Sequence, residues 1–333
     1  PIAHDCERSN CIVAWGSGIH YSNNDGYNAR QFIEGWKQGA KLICSDPVFS
    51  AIASKADVWL QVRPGTDGAL ALAWLNVIVA EKLYDKEFVA KWTHGVGGLE
   101  AHIKPFTPEW AEGITWVPAS RIKEAARLYA SAKPASLLFG NAPEHGVNST
   151  SSLRCFHFLP AVTGNLDVPG GNVFLESPLP GHVKRLSAKE LIPADIWDKR
   201  LAPFPLLSLA FPSVGYAIHE AVLSGKPYPI KAYLVHGGGP LQSHENAKGL
   251  VYEAFKKAEF IEVMDHFMTP TAEMADIVLP AATFLEYDDV HAALAEAEMS
   301  GYVLAFQKVV EPVGESKSDN EVFIELSKRL GYP

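Results

Sequence analysis

No stretch of this 333-residue sequence approaches the ~20 consecutive apolar residues that a membrane-spanning helix needs, and no tract of low complexity interrupts it. Positive charge is in the minority: 29 lysines and arginines face 38 aspartates and glutamates, a formal charge of −9. Non-specific binding to a phosphate backbone requires a basic face, so that function class is excluded. Cysteine is scarce. Cys6, Cys11, Cys44 and Cys155 form no Cys-x-x-Cys pair and lack the density of a secreted disulfide scaffold, so no cysteine metal site is expected. Cys11 and Cys44 lie inside apolar strand patterns and read as buried, inert thiols. No export signal is legible, and the compartment stays open.

The length suits two domains, and 47% hydrophobic with 20% charged residues is the composition of an ordinary globular protein. The organising stretch runs from Ile261 to Glu286. An apolar strand over Phe260–Met264 stops at Asp265, and open α/β sheets place ligand-contacting groups at such carboxyl ends. A structural, salt-bridging Asp265 is the competing reading. Thr269 and Thr271 bracket Pro270, which predicts a threonine-capped helix with proline at its first position. Ala275 to Pro280 then reads as a short buried strand stopped by proline.

An earlier segment has the same grammar. The strand Cys11–Trp15 enters a glycine turn at Gly16-Ser17-Gly18, which suits close approach of a phosphate to backbone amides without being a full Gly-x-Gly-x-x-Gly. A helix over Asn28–Gly39, with Phe32, Ile33 and Trp36 on one face, leads to the strand Lys41–Ser45 and to Asp46-Pro47. That order is a mononucleotide-binding βαβ unit, and an acid there can bind a ribose hydroxyl or a base edge. A third strand over Ala56–Val62 precedes Arg63-Pro64-Gly65-Thr66-Asp67 and a long apolar helix from Gly68 to Lys82. Asp67 reads as a helix cap or as a ligand contact. Further helices are predicted over 118–132, 149–163, 214–223, 246–257 and 318–330, and strands over 136–139 and 230–235. Gly164 to Asn172 is a turn-rich loop, and prolines accumulate between 175 and 229. Trp15-Gly16-Ser17-Gly18 with Asp46 is echoed by His236-Gly237-Gly238-Gly239-Pro240 with Asp265. Two such half-sites call for a dinucleotide with two contacts or for two separate nucleotides.

The wording Asp-x-Phe-x-Thr-x-Thr-Ala-x-x-Ala-Asp-x-Val-Leu-Pro, spanning Asp265 to Pro280, resembles the molybdopterin oxidoreductases, the dimethyl-sulfoxide-reductase-like enzymes. Trp15-Gly16-Ser17, Ser45-Asp46-Pro47, Arg63 to Gly68, Thr163 to Asn172, Gly239-Pro240-Leu241, Gln307 and Val313-Gly314-Glu315 extend the resemblance along nearly the whole chain in family order. It implies an α/β fold of two Rossmann-like three-layer α/β/α domains with mostly parallel sheets, the second incomplete. Their expected extents are 1–175 and 230–333, with a proline-rich connecting and covering segment over 176–229. It also implies a bis(molybdopterin guanine dinucleotide) cofactor carrying molybdenum or tungsten, one nucleotide per domain. The first guanine dinucleotide site falls on Gly16, Gly18, Ser22, Asp46, Pro64, Gly65 and Asp67, with Asn141 and His145 approaching from the next strand end. The second falls on Gly237, Gly239, Pro240, Asp265 and Thr269. Aspartate suits guanine because its two oxygens can accept from the ring N1–H and the exocyclic amine together. Many relatives have Asn-Pro where this chain has Gly18-Ile19, and arginine at the place of Val48.

The same resemblance implies a metal ligand upstream of the Trp15-Gly16 strand, further away than Cys6, and a [4Fe-4S] cluster in an N-terminal domain. The chain is therefore expected to be the central part of a catalytic subunit, holding no metal and inactive by itself. Implied partners are the remaining domains of its own polypeptide, an iron–sulfur electron-transfer subunit and a small-molecule substrate, with no nucleic acid and no membrane insertion. The closing region, Gln307 to Glu315, most resembles the polysulfide, thiosulfate and arsenate reductases. Alternatives are a hydratase or transhydroxylase, a non-catalytic structural relative, and a nicotinamide-dependent dehydrogenase. The incomplete glycine fingerprint and the doubled half-site count against the last of these.

Overall fold

Short runs of apolar residues buried on both sides define the first sheet. A computed structural model describes residues 2–19, 27–140, 142–174, 201, 215–291 and 304–332. These fall into two compact units, one inside Pro1–Pro178 and the other inside Leu179–Ala292 with Tyr302–Pro333. In the first unit the strands are β1 (Ile2–His4), β2 (Cys11–Trp15), β3 (Lys41–Ser45), β4 (Val58–Leu60), β5 (Ala135–Phe139) and β6 (Asn172–Phe174). Its helices are α1 (Tyr27–Lys37), α2 (Asp67–Ala80), α3 (Lys86–Trp92), α4 (Val96–Ile103), α5 (Pro108–Thr115), α6 (Ala119–Ser131) and α7 (Ser149–Thr163).

Four of these strands form a parallel sheet in the order β4-β3-β2-β5. All five residues of β2 are buried, and alternate ones serve opposite faces. Cys11, Val13 and Trp15 join the cluster built with α2, α6 and α7, while Ile12 and Ala14 join Phe32 of α1. A fully buried side chain of this size contributes about 1.5–3 kcal/mol, which makes β2 the spine of the unit. From β2 the chain steps outward through β3 to β4, then returns to place β5 on the other side of β2. The direction of winding therefore reverses between β2 and β5, and in open α/β sheets the crevice beyond the strand ends at such a point is where ligands bind.

The second unit contains β7 (Ala232–His236), β8 (Phe260–Asp265) and β9 (Ile277–Pro280), parallel and in that order. A separate antiparallel pair joins β10 (Asp289–His291) to β11 (Leu304–Phe306). On one face of the parallel sheet, Tyr233, Val235, Ile261 and Val263 pack with Val222, Val251, Ala254 and Phe255. The helix Asp319–Leu330 accompanies the other face, its Phe323 ring 4.6 Å from that of His236. It opens on a capping box between Ser318 and Glu321 and closes on Gly331 in the left-handed region.

Four expectations need correction. The helix expected after Pro270 is a single 3-10 turn, Ala272–Met274, because β9 begins three residues later and leaves no room for more. Strand β9 exists but is not buried: Ile277 and Pro280 are exposed and the two residues between them half-buried. The helix over 246–257 begins as a π-type turn, Ala247–Val251, and becomes α-helical only over Tyr252–Lys257. Thr66, not Asp67, holds the N-cap position of α2. Ser22, Asn141 and most of the 176–229 segment lie outside the described residues.

Candidate functional site

In the first unit the carboxyl ends of the strands are laced together. Gly16 donates its N–H to Ser45 O (2.8 Å), Gly140 to Trp15 O (3.1 Å) and Asp46 to Leu60 O (3.1 Å). Gly16 has φ +55°, and a Cβ on Gly140 would lie 2.4 Å from Gly16 O, so the turns after β2 and β5 meet backbone to backbone at the reversal point. Asp46 follows β3 directly, and its Oδ1 accepts from the N–H of Val48 at 2.9 Å. Its carbonyl accepts from the indole of Trp59, also at 2.9 Å. Asp67 is fixed from below: its Oδ1 accepts from the indole N–H of Trp15 (2.9 Å), a fully buried ring packed on Trp74 and Phe156. Asp67 is thus a held carboxylate in the first turn of α2. Pro64 and Gly65 are exposed in the preceding turn, which Thr66 Oγ1 closes on Arg63 O (2.7 Å). His145 is exposed in the 3-10 turn Ala142–His145 after β5. Burial, and secondarily Asp46, pushes the Cys44 thiol up to about 12, so the nearest cysteine is neutral and unreactive.

In the second unit a cavity of about 400 Å³ opens beyond β7 and β8. It is lined by Gly237, Gly238, Gly239, Asp265, Thr269 and Asp319, among others. Pro240 opens the short helix Pro240–Ser243 beside it without lining it. Asp265 ends β8 as Asp46 follows β3, and its Oδ1 accepts from the N–H of Phe267 at 3.1 Å. Thr269 Oγ1 donates to Asp265 Oδ2 (3.4 Å) and accepts from Ala272 N–H (3.2 Å), so its capping function serves the 3-10 turn. Thr271 Oγ1 lies 2.6 Å from Gln242 Oε1 and ties that turn to the glycine loop. His266 donates Nε2–H to Ala282 O at 3.2 Å. Glu286, which closes the stretch, is itself a cap: bonds from Thr283 N–H and hydroxyl, with Val313 N–H, hold its carboxyl below the usual range.

Asp319 was not singled out by sequence. Following Ser318 in a capping box, it reads there as an ordinary acid of the first helical turn. Its carboxylate lies 3.4 Å from Nδ1 of His236, whose Nε2 is 2.9 Å from Glu262, and the helix start lines the cavity.

Two parallel α/β units, each with a glycine turn and an anchored aspartate at its strand ends, define the class as an open, Rossmann-like parallel α/β protein with its candidate site at the strand ends. The comparisons with known proteins narrow this. The family model described as molybdopterin oxidoreductase matches residues 1–329, and the chain belongs to that family. It is 31% identical, over 98% of its length and 48% of the relative's, to the F420-dependent formate dehydrogenase subunit alpha of Methanocaldococcus jannaschii. It is 29% identical to the thiosulfate reductase molybdopterin-containing subunit of Salmonella typhimurium, covering 99% of this chain and 45% of the relative. Among solved structures, acetylene hydratase from Pelobacter acetylenicus superposes with a TM-score of 0.86 at 28% identity, over 99% of this chain and 48% of that one. The chain spans about half the length of these relatives.

Proposed function

We propose that this chain is the dinucleotide-holding part of the catalytic subunit of a molybdenum or tungsten oxidoreductase, each unit taking the guanine end of one molybdopterin guanine dinucleotide. The observation that carries the reading is the repeated aspartate turn. In both units a carboxylate at the carboxyl end of a parallel strand is locked by the N–H two residues on. A locked carboxylate is preorganised to accept from the two donors on guanine's edge, and the turn amide occupies only part of its lone-pair capacity.

The residues fit such a ligand. The second unit's cavity combines a glycine loop with Asp265 and Asp319, and among the described residues no lysine or arginine lines it. Backbone N–H groups of the Gly237–Gly239 turn are the donors for phosphate oxygens in the second unit, and the carboxylates are the acceptors for base and ribose. Asp67, Pro64 and Gly65 complete the first half-site in this reading, and Thr269 orients Asp265 in the second. When bound, the cofactor supplies the metal and its two-electron, oxygen-atom-transfer chemistry. The residues described here bind and orient.

The substrate class we favour is a small sulfur or arsenic oxyanion, or polysulfide, from the likeness of Gln307 to Glu315. A non-redox hydration is the second reading, supported by the superposition on acetylene hydratase. The test is composition: the protein purified with the rest of its polypeptide should release two guanine nucleotides per molybdenum or tungsten on acid hydrolysis. Release of nicotinamide, or of no guanine, overturns the proposal. Reduction of thiosulfate against hydration of acetylene separates the two substrate readings.

A further inference from the structure

Each aspartate turn presents more than a carboxylate. Asp46 is followed by Pro47, Val48 and Phe49, and Asp265 by His266, Phe267 and Met268. Val48 is 65% exposed, Phe49 63%, Phe267 78% and Met268 63%, so both turns place two large apolar side chains in the open beside the anchored acid. The residue whose N–H locks the carboxylate, Val48 or Phe267, belongs to the same pair, which ties the position of the apolar surface to that of the acid. A base read at its edge by a carboxylate still has two bare faces, and an aromatic ring is the surface that covers one at useful energy.

The two turns are not braced alike. Phe49 rests on Trp59, with ring centroids 4.9 Å apart, and the Trp59 indole donates to Asp46 O at 2.9 Å. Acid, turn and aromatic ring are therefore one connected piece in the first unit. In the second, the ring of His266 is 6.5 Å from that of Phe267 and is engaged through Nε2 with Ala282 O. Ordering an unbraced side chain on binding has an entropic cost that a braced one has already met.

Resting on the guanine reading above, we propose that Phe49 and Phe267 are base-stacking platforms beside Asp46 and Asp265, and that the half-site braced by Trp59 is the tighter of the two. Equilibrium dialysis of GMP against the chain and its variants tests this, with circular dichroism melting as the folding control. The wild type should show two unequal sites. Phe49→Ala should weaken the tighter by about ten-fold and Phe267→Ala the weaker by about ten-fold, the usual size of one base–aromatic stack. Trp59→Phe, which keeps a ring but loses the indole N–H, should bring the two affinities closer together. Saturation-transfer NMR should show the base proton H8 in closer contact with protein than the ribose protons, and that preference should vanish in the double phenylalanine variant. If Asp46→Asn and Asp265→Asn lose binding while both alanine variants bind as wild type, the platforms are refuted and the guanine reading survives. If the wild-type chain binds no GMP into the millimolar range, both fail.

Discussion

Every residue of β2 is buried and both faces of the first sheet are clothed, whereas β9 exposes Ile277 and Pro280 and the helix Asp319–Leu330 has no buried residue. The aspartate turns at the strand ends are nonetheless the same in kind. Placement of a ligand-facing carboxylate thus follows from where a parallel strand stops and which amide answers the side chain. The brace from Trp59, present at the first turn, decides how stiffly that carboxylate is held.

The largest effect should come from the spine of the first unit. Trp15 fills the core against Trp74 and Phe156 and anchors Asp67, so Trp15→Ala should destabilise that unit by about 3–5 kcal/mol. Hydrogen exchange resolved by unit should show the loss in β2–β5 and leave β7–β9 unchanged. Equal loss in both would mean that the units unfold as one and the contrast in stiffness has no meaning.

A second test concerns acid. Burial, with a smaller push from His244 that Glu245 opposes, lowers His219 from its ordinary 6.5 to about 4. Its imidazole lies 2.8 Å from Tyr233 Oη and 3.0 Å from His244 Nδ1. Above pH 6.5 neither folded nor unfolded His219 carries the extra proton. As pH falls the unfolded chain takes it up first, so stability should decline from about pH 6.5 to about 4. His219→Gln should flatten this decline in the second unit only. The first unit keeps its own acid response through His4, which burial also lowers to about 4. A flat wild-type profile across that window contradicts the burial of His219.

The smallest effect lies on the face of the second sheet that the helix Asp319–Leu330 covers only in part, where Leu234 and Ile277 are about half exposed. Leu234→Ser with Ile277→Ser should change unfolding stability by only ~0.5 kcal/mol or less, as surface substitutions do. The pair should lower self-association in sedimentation velocity, since exposed apolar patches drive it. An unchanged sedimentation profile would show that this face is not what associates.

Sequence reading reached unevenly into this fold, for physical reasons. Strand β3 and helix α7 were legible to the residue, because a buried apolar run and a helix ending at Gly164 carry their own punctuation. The pairing of β1 with β6 was not: Ile2–His4 is three residues long and finds its partner at Asn172–Phe174. Helices α3 to α5, each of seven or eight residues, were too short for periodicity to announce. Of the candidate site, Asp46, Asp265 and the glycine loops were readable as strand ends. The Trp15–Asp67 bond and the arrival of Asp319 at the cavity depend on tertiary packing that no local pattern encodes.

The measurement that bears most directly on the central claim is the stoichiometry of guanine nucleotide on the isolated chain and three variants. Two strand-end aspartates reading two bases predict two GMP bound per wild-type chain, one in Asp46→Asn, one in Asp265→Asn and none in the double variant. AMP, which offers that edge one donor and an acceptor, should bind to none of them. Two GMP retained by the double variant, or AMP held as well as GMP, would contradict the account.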